Sequence, residues 1–335
     1  MHINGVRLHF RPRQKLIVSD PIYLSKDLGM KISIIGGTGF VGTYVIDALL
    51  QAGHTPRVLV RSGSEAKLAT AQCETVPGDI SDMAALDACL QGADAVIYLI
   101  GILREFPAKG ITYEESQFKG VERTVAAAQR QGVQHFILMS ANGVKAGGTK
   151  YQDTKFRAEE CVKASGLAWT VFRPSVVFGD PRGKAEFCTQ LQKELVLPPI
   201  PAPLFFDGVN ILQAGKFQMQ PVHVEDVAQA FVAAVDNPAA LGKTFALCGP
   251  DAVSWKQIIQ ILAQASGRSG KLAVPVPAEL LKVVAGVLDK EAWFPITRDQ
   301  IVMLLEGNTC SDSSAWHAFG ITPKRFALEN LAYLG

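Results

Sequence analysis

KISIIGGTGFVG, residues 31–42, runs from an apolar segment straight into three evenly spaced glycines, Gly36, Gly39 and Gly42. Ile32, Ile34 and Ile35 suit a buried strand, and Phe40 and Val41 resume an apolar pattern that reads as the start of a helix. A strand that turns at once into a helix leaves the first helical amides unpaired. Glycine lets a phosphate reach them, because a Cβ there would collide with the ligand or forbid positive φ. The G-x-x-G-x-x-G spacing therefore predicts a dinucleotide pyrophosphate site at a βα junction, although three spaced glycines also occur in purely structural turns. The rest of the chain decides between these readings.

Outward from Gly42, strand and helix signals alternate. Strands are predicted at 57–60, 74–77, 95–100 and 135–140, helices at 66–71, 83–90 and 121–131, then a helix at 151–165 and a strand at 168–173. Alternation at this spacing requires right-handed crossovers and a parallel sheet with helices on both faces. The expected fold is α/β: a Rossmann doubly wound parallel sheet over 31–180 and a smaller C-terminal substrate lobe over 181–335. The lobe is expected to interleave with the sheet through later segments such as Gln220–His223. LPPIPAPLFF, 197–206, reads as an apolar loop at the change of lobe. Its Leu204, Phe205 and Phe206 pack on the second lobe, line a lipid- or quinone-like pocket, or contact a membrane. Further helices are predicted at 224–236, 255–265, 277–288 and 298–305.

Composition excludes several classes of function. Lys and Arg number 33 against 31 Asp and Glu in 335 residues, a balance too even to grip nucleic acid. Residues 1–30 carry five basic and two acidic residues, show no sustained period, and are expected to form a poorly ordered arm. The six cysteines never form a CxxC, so reduced thiols are expected rather than a zinc site or a disulfide framework. No apolar run approaches the roughly 18 residues that span a bilayer. The expectation is a non-exported, cytoplasmic protein.

The second predicted strand, in RVLVRSGSEAK, ends in Arg61, where an NAD-preferring site would carry a carboxylate for the ribose hydroxyls. A guanidinium there pairs with a 2′-phosphate, aided by Ser62 and Lys67, so NADP(H) is the preferred cofactor and NAD(H) the alternative. In GDI, Asp79 either accepts the adenine amino group while Ile80 packs on the ring, or caps the next helix. Tyr151 and Lys155 stand at i and i+4 on one helix face, where an ammonium would pull the phenol pKa down from about 10 and the phenol would exchange a proton with a substrate oxygen. Ser140 and Asn142, after the preceding strand, are candidate polar partners of that oxygen. His223 precedes a helix whose Val224, Val227, Phe231 and Val235 look like core. It reads as a structural residue, with Glu225 or Asp226 capping the helix, and no metal is expected.

In order, GGTGFVG, VLVR, GDI, DAVIYLIG, LMSANGV, YQDTK and FRPSVVFG resemble the extended and atypical short-chain dehydrogenase/reductases, which include NAD-dependent epimerases and dehydratases. FQMQPVHVEDVAQAF, RDQIVMLLEGNTC and FGITPKRFALENLAYL resemble the subgroup related to the complex I nucleotide-binding accessory subunit, alpha subcomplex subunit 9. The resemblance implies that Gly36, Thr38, Gly39, Phe40, Val41, Gly42, Arg61, Asp79, Ile80, Gly101, Tyr151, Lys155 and Pro174 surround the cofactor. It also implies Tyr151, Lys155 and Ser140 as the catalytic set, and peripheral association with an inner-membrane complex. One departure stands out: Ser140 lies only eleven positions before Tyr151, so VKAGGTK replaces a longer active-site loop and argues against a sugar-nucleotide substrate. Two functions follow: an oxidoreductase, or a protein that holds NADPH for assembly of a respiratory complex.

Overall fold

Ile32, Ile34 and Ile35 are fully buried because β1 (Lys31–Ile35) lies inside a parallel sheet covered on both faces. The computed structural model describes residues 29–68, 72–279 and 297–335. From β1 the chain runs through α1 (Phe40–Gln51), β2 (Thr55–Val60), β3 (Glu74–Pro77), α2 (Met83–Leu90), β4 (Ala95–Tyr98), α3 (Gly120–Gln131), β5 (His135–Met139), α4 (Lys150–Lys163) and β6 (Ala168–Pro174). Then follow β7 (Val177–Phe178), α5 (Phe187–Leu191), β8 (Ala202–Phe206), β9 (Gln218–Met219), β10 (Val222–His223), α6 (Val224–Val235), β11 (Lys243–Leu247), β12 (Val253–Ser254), α7 (Trp255–Ala265) and β13 (Ala273–Pro277). Two more helices, α8 (Arg298–Glu306) and α9 (Ser314–Phe319), precede the C-terminus.

The main sheet has the order β11-β6-β5-β4-β1-β2-β3, and all six pairings in it are parallel. Strand order reverses between β1 and β4, which opens a crevice at their C-terminal ends, the usual ligand position in such sheets. One face buries Tyr44, Val45 and Leu49 of α1 with Val227 and Phe231 of α6. The other buries Leu86 of α2, Val121 and Val125 of α3, and Ala158 and Val162 of α4. A third cluster forms the second lobe around Phe178, Phe205, Trp255, Ile258 and Leu304.

Several expectations are corrected. The seventh strand of the sheet is β11; Val222 and His223 instead pair with β7 in a separate two-stranded ribbon. The segment read as an apolar loop contains a strand, for β8 pairs in parallel with β13. Leu204, Phe205 and Phe206 are 7%, 4% and 8% exposed, so they pack into the second lobe and do not line a pocket. Prolines at 203, 275 and 277 hide both strands from a sequence reading, because proline lacks a ladder donor and is tolerated only in short edge ribbons such as this one. The helix expected at 66–71 is a single 3₁₀ turn, Glu65–Lys67, too short to sustain an α-helical nucleus, and 69–71 lie outside the described residues. Pro277 closes β13, Ala278 and Glu279 are helical as expected, and the rest of the helix predicted over 277–288 lies outside the described residues from 280 onward, as does the arm up to residue 28.

The expectation of six reduced thiols is corrected too, for Cys248 and Cys310 form a disulfide with Cα atoms 6.0 Å apart. Their separation of 62 residues hides the approach, which arises because β11 ends in the main sheet where the segment after α8 crosses it. Cys89, Cys161 and Cys188 form no disulfide.

Candidate active site

A cavity of about 1340 Å³ opens over the C-terminal ends of β1, β2 and β4. Gly36, Thr38, Gly39, Arg61, Asp79, Ile80 and Gly101 line it, so residues scattered over sixty-odd positions converge as the sequence implied. The glycines divide the work. Gly36 has φ +98, a conformation that L side chains rarely adopt. Gly39 is the N-cap of α1 and offers no side-chain cap, which leaves the helix's first amides open for an anion. A Cβ on Gly42 would lie 2.4 Å from the Gly36 oxygen and 2.7 Å from Gly37 Cα, so this glycine lets α1 seat on the turn and does not face the cavity. Gly42→Ala should therefore lower thermal stability by about 1–3 kcal/mol, the usual cost of overpacking, and weaken NADPH binding in the same protein. A variant with wild-type melting and affinity would refute this packing role.

Asp79 Oδ1 accepts from Ser81 N and Oγ, both at 3.0 Å. The cap of α2 is Asp82, which accepts from the amides of Ala84 and Ala85, so the structural alternative for Asp79 is taken by its neighbour. Arg61 is exposed at the end of β2, on the cavity edge. Phe40 and Val41 lie half-buried in the first turn of α1, with Phe40 edge-on to Tyr44. Pro174 is buried at the end of β6, where its carbonyl accepts from Asn142 N at 2.8 Å. None of these last three lines the cavity.

The sequence reading missed the wall formed by Ile102, Leu103, Arg104, Phe106, Lys109 and Ile111. This loop doubles back through two backbone hydrogen bonds between Phe106 and Ile111, and Tyr113 and Gln117 hold it by donating to the carbonyls of Leu103 and Ile102. Gln300 of α8 closes the cavity from the second lobe, together with Ala185, Gln190 and Glu194. Neither group carries a motif. The only local sign was a Gly110 that permits the turn at φ +68.

Tyr151 and Lys155 sit in the first two turns of α4, whose start is fixed by a capping box between Thr149 and Gln152. Lys155 is 3% exposed and donates to the carbonyls of Met139 at 2.9 Å and Ile100 at 3.2 Å. A Cβ on Gly101 would lie 3.5 Å from its Nζ, which places the amine directly under the cavity wall. Burial lowers the Lys155 pKa to about 8, partly opposed by Glu159. Burial pushes the Tyr151 phenol up to about 12, and its ring lies edge-on to Tyr113 at 5.8 Å. The expectation that Lys155 lowers the phenol pKa is therefore corrected. Lys155 is turned onto two backbone carbonyls, and desolvation governs the tyrosine.

Ser140 is 2% exposed and donates its hydroxyl to Glu159 Oε1 at 2.5 Å, away from the cavity lining. Glu159, itself fully buried, is gripped by Arg173 through two hydrogen bonds of 2.8 and 2.6 Å. Ser140 thus belongs to a buried ion-pair network that ties α4 to β6. Asn142 donates to Asn308 Oδ1 and to the Thr309 carbonyl in the second lobe.

His223 caps α6 itself by accepting from Glu225 N at 3.3 Å, the role expected of Glu225 or Asp226. Asp226 instead accepts from Lys324 N, and Glu225 pairs with the Lys324 side chain. Burial next to Lys324 lowers the His223 pKa to about 4, so it is neutral. Among the described residues no group of three or more His, Cys, Asp or Glu is arranged to hold a metal ion, and no helix is long and apolar enough to cross a membrane.

Residues 36–196 match the family model described as NAD(P)H-binding. The mitochondrial NADH dehydrogenase [ubiquinone] 1 alpha subcomplex subunit 9 of Arabidopsis thaliana is 27% identical over 289 residues, covering 82% of this chain and 68% of that protein. The ceramide reductase of Caulobacter vibrioides is 26% identical over 268 residues, covering 79% of each. The solved structure of a UDP-glucose 4-epimerase from Thermus thermophilus, a complex with NAD, superposes with a TM-score of 0.69 at 18% identity, over 91% of this chain and 97% of that one. The chain thus carries an NAD(P)H-binding segment over residues 36–196 on the fold of the solved epimerase, and it is similar to an alpha subcomplex subunit 9 protein and to a ceramide reductase.

Proposed function

We propose that the protein is an NADP(H)-dependent reductase of an apolar carbonyl or quinone-like substrate. The observation that carries this reading is buried Lys155, packed under Gly101 of the cavity wall, with half-buried Tyr151, held protonated, one helical turn before it on α4; neither lines the cavity itself. A desolvated amine under the ligand wall with a protonated phenol on the same helix face suits a proton-transfer site. The cavity fits the cofactor. Open amides at α1 receive the pyrophosphate, Asp79 and Ile80 the adenine, and Arg61 the 2′-phosphate. When bound, the nicotinamide supplies a hydride. Tyr151 donates its proton to the substrate oxygen, Lys155 holds the ribose, and Ile102, Leu103, Phe106 and Ile111 exclude water from an apolar substrate. A relative named for ceramide reduction supports an apolar substrate. The test follows NADPH absorbance across a panel of quinones, ketones and aldehydes. Turnover that survives intact in Tyr151→Phe would sink the catalytic assignment.

A second reading, an NADPH-holding accessory protein peripheral to a membrane complex, draws on the subunit 9 relatives and on the turn after β8. There Val209, Ile211 and Leu212 are 98%, 55% and 76% exposed. Asn210 caps the turn by accepting from Leu212 N, and backbone bonds from Gln213 to Asn210 and from Ala214 to Ile211 leave few amides to desolvate on entering an apolar layer. Lys216 and Lys256, both exposed, flank its base. Val209→Ser combined with Leu212→Ser should cut co-sedimentation with anionic phospholipid vesicles by about tenfold while leaving NADPH affinity unchanged. Equal sedimentation of variant and wild type would remove the membrane role of this turn.

A further inference from the structure

We infer that Glu306–Cys310 is a strap from the second lobe that positions the Tyr151 helix, and that the Cys248–Cys310 disulfide makes its hold dependent on redox state. The importance of this strap for turnover rests on the proposed role of Tyr151; its mechanical role does not.

Three kinds of contact define the strap. First, it is threaded into the second lobe: after α8, Gly307 takes φ +76, Asn308 N donates to the Gln218 carbonyl, and Gln220 N donates to the Asn308 carbonyl. Second, it reaches across to the shortened loop before α4. Asn142 Nδ2 donates to Asn308 Oδ1 at 2.7 Å and to the Thr309 carbonyl at 3.0 Å, and Lys145 Nζ meets Glu306 Oε1 at 2.7 Å. Gln152 Nε2 donates to Glu306 Oε2 at 2.8 Å. Third, its end is stapled to the main sheet, since Cys310 is bonded to Cys248, which directly follows β11 and whose carbonyl accepts from Trp316 Nε1.

Gln152 is the pivot. It is the residue after Tyr151, its Oε1 accepts from Thr149 N to complete the capping box, and its Nε2 is shared between Glu306 and the Gly143 carbonyl. One amide side chain thus joins the start of α4, the loop and the strap. Glu306 is 37% exposed in its side chain and its ion pair with Lys145 is exposed too, so the pair adds little stability on its own; what it adds is direction to Gln152. Besides these, the loop is held by Asn142 N on the Pro174 carbonyl, Gly147 N on Asp153 Oδ1 and buried Val144, so loosening the strap removes the side-chain ties of Asn142, Lys145 and Gln152 to the second lobe and loosens the segment that fixes where Tyr151 points. Glu306 is a positioning residue.

The staple gives the strap two states. A dithiol reductant attacks one sulfur, and two exchanges leave Cys248 and Cys310 as thiols while the reductant closes its own disulfide; two electrons and two protons pass to the protein. Cys248 is buried but Cys310 is partly exposed, so a thiolate has a sulfur to attack. In the reduced protein Cys310 keeps its amide hydrogen bond to Gln220 Oε1 but loses its covalent tie to the main sheet.

The test is amide hydrogen–deuterium exchange of peptides covering residues 143–152 in the full chain, with dithiothreitol as the dithiol. Reduction should speed exchange there by about tenfold and leave β1 and α1 unchanged, while a Cys248→Ser, Cys310→Ser double variant should exchange at the fast rate with or without dithiothreitol. Glu306→Ala should speed the same peptides in the oxidised protein, and Glu306→Gln, which keeps an acceptor for Gln152, should restore slow exchange. Exchange over 143–152 that ignores both reduction and Glu306→Ala would overturn the inference, and reduction of the unmutated chain keeps the test decisive if a variant misfolds. In turnover, reduction should lower kcat several-fold with the KM for NADPH unchanged. An absence of turnover with every substrate would count against the reductase reading, whereas the exchange result judges the strap alone.

Discussion

Tyr151→Phe should lower NADPH-dependent turnover by about 10²–10⁴-fold, the usual worth of a positioned general acid, while NADPH affinity stays within about twofold. The small binding effect follows because the ring, which the variant keeps, is packed against Tyr113, and only the hydroxyl is lost. Direction matters as well. A phenol held at about 12 is protonated across the working range and can give a proton, whereas the reverse oxidation would need the phenolate. With Lys155 lowered to about 8, its charge is full below that pH and is lost above it, so the rate of reduction should be level from about pH 6 to 7.5 and fall beyond 8. Lys155→Ala should remove that limb and weaken NADPH binding too, since the amine abuts Gly101 on the cavity wall. A Tyr151→Phe enzyme of full activity would make the tyrosine a packing residue.

Arg61→Asp should raise the dissociation constant of NADPH by about 10²-fold or more and that of NADH by only a few-fold. A charge-assisted pair contributes about 1.5–3 kcal/mol, and the substituted carboxylate adds repulsion against a 2′-phosphate that NADH lacks. The arginine is exposed at a strand end, so the substitution should leave melting unchanged and the effect can be read as binding alone. Fluorescence titration of both nucleotides measures it. Equal weakening of the two would mean that Arg61 does not meet the 2′-phosphate, and the preference for NADP(H) would fall with it.

Much of this molecule was legible because its signals are local. The three glycines, the Arg61 strand end, GDI and the Tyr151–Lys155 spacing each act within a few residues, where φ, side-chain reach and helical period follow directly from residue type. The convergence of Gly36, Gly39, Arg61, Asp79 and Ile80 on one cavity followed from the alternation of strand and helix, since parallel strands place all their C-terminal ends on one side. What failed were readings that needed a distant partner. Ser140 was a free hydroxyl in the sequence, but the fold sets it against buried Glu159, nineteen positions on. Asp79 was a candidate for the cap, and only the helix's actual starting turn gave that role to Asp82.

The sequence by itself therefore determined the parallel sheet, the nucleotide-binding turn and the residue types able to hold a phosphate or move a proton, because these depend on backbone period and local chemistry. Only the tertiary structure decided how those groups are set. Burial, a property of packing, raised the phenol of Tyr151 and lowered the amine of Lys155. The register of β8 with β13 withdrew Leu204, Phe205 and Phe206 from any pocket. The crossing of the segment after α8 over the end of β11 brought Cys310 to Cys248 and Glu306 to Gln152, contacts between residues 62 and 154 positions apart that no local pattern can encode.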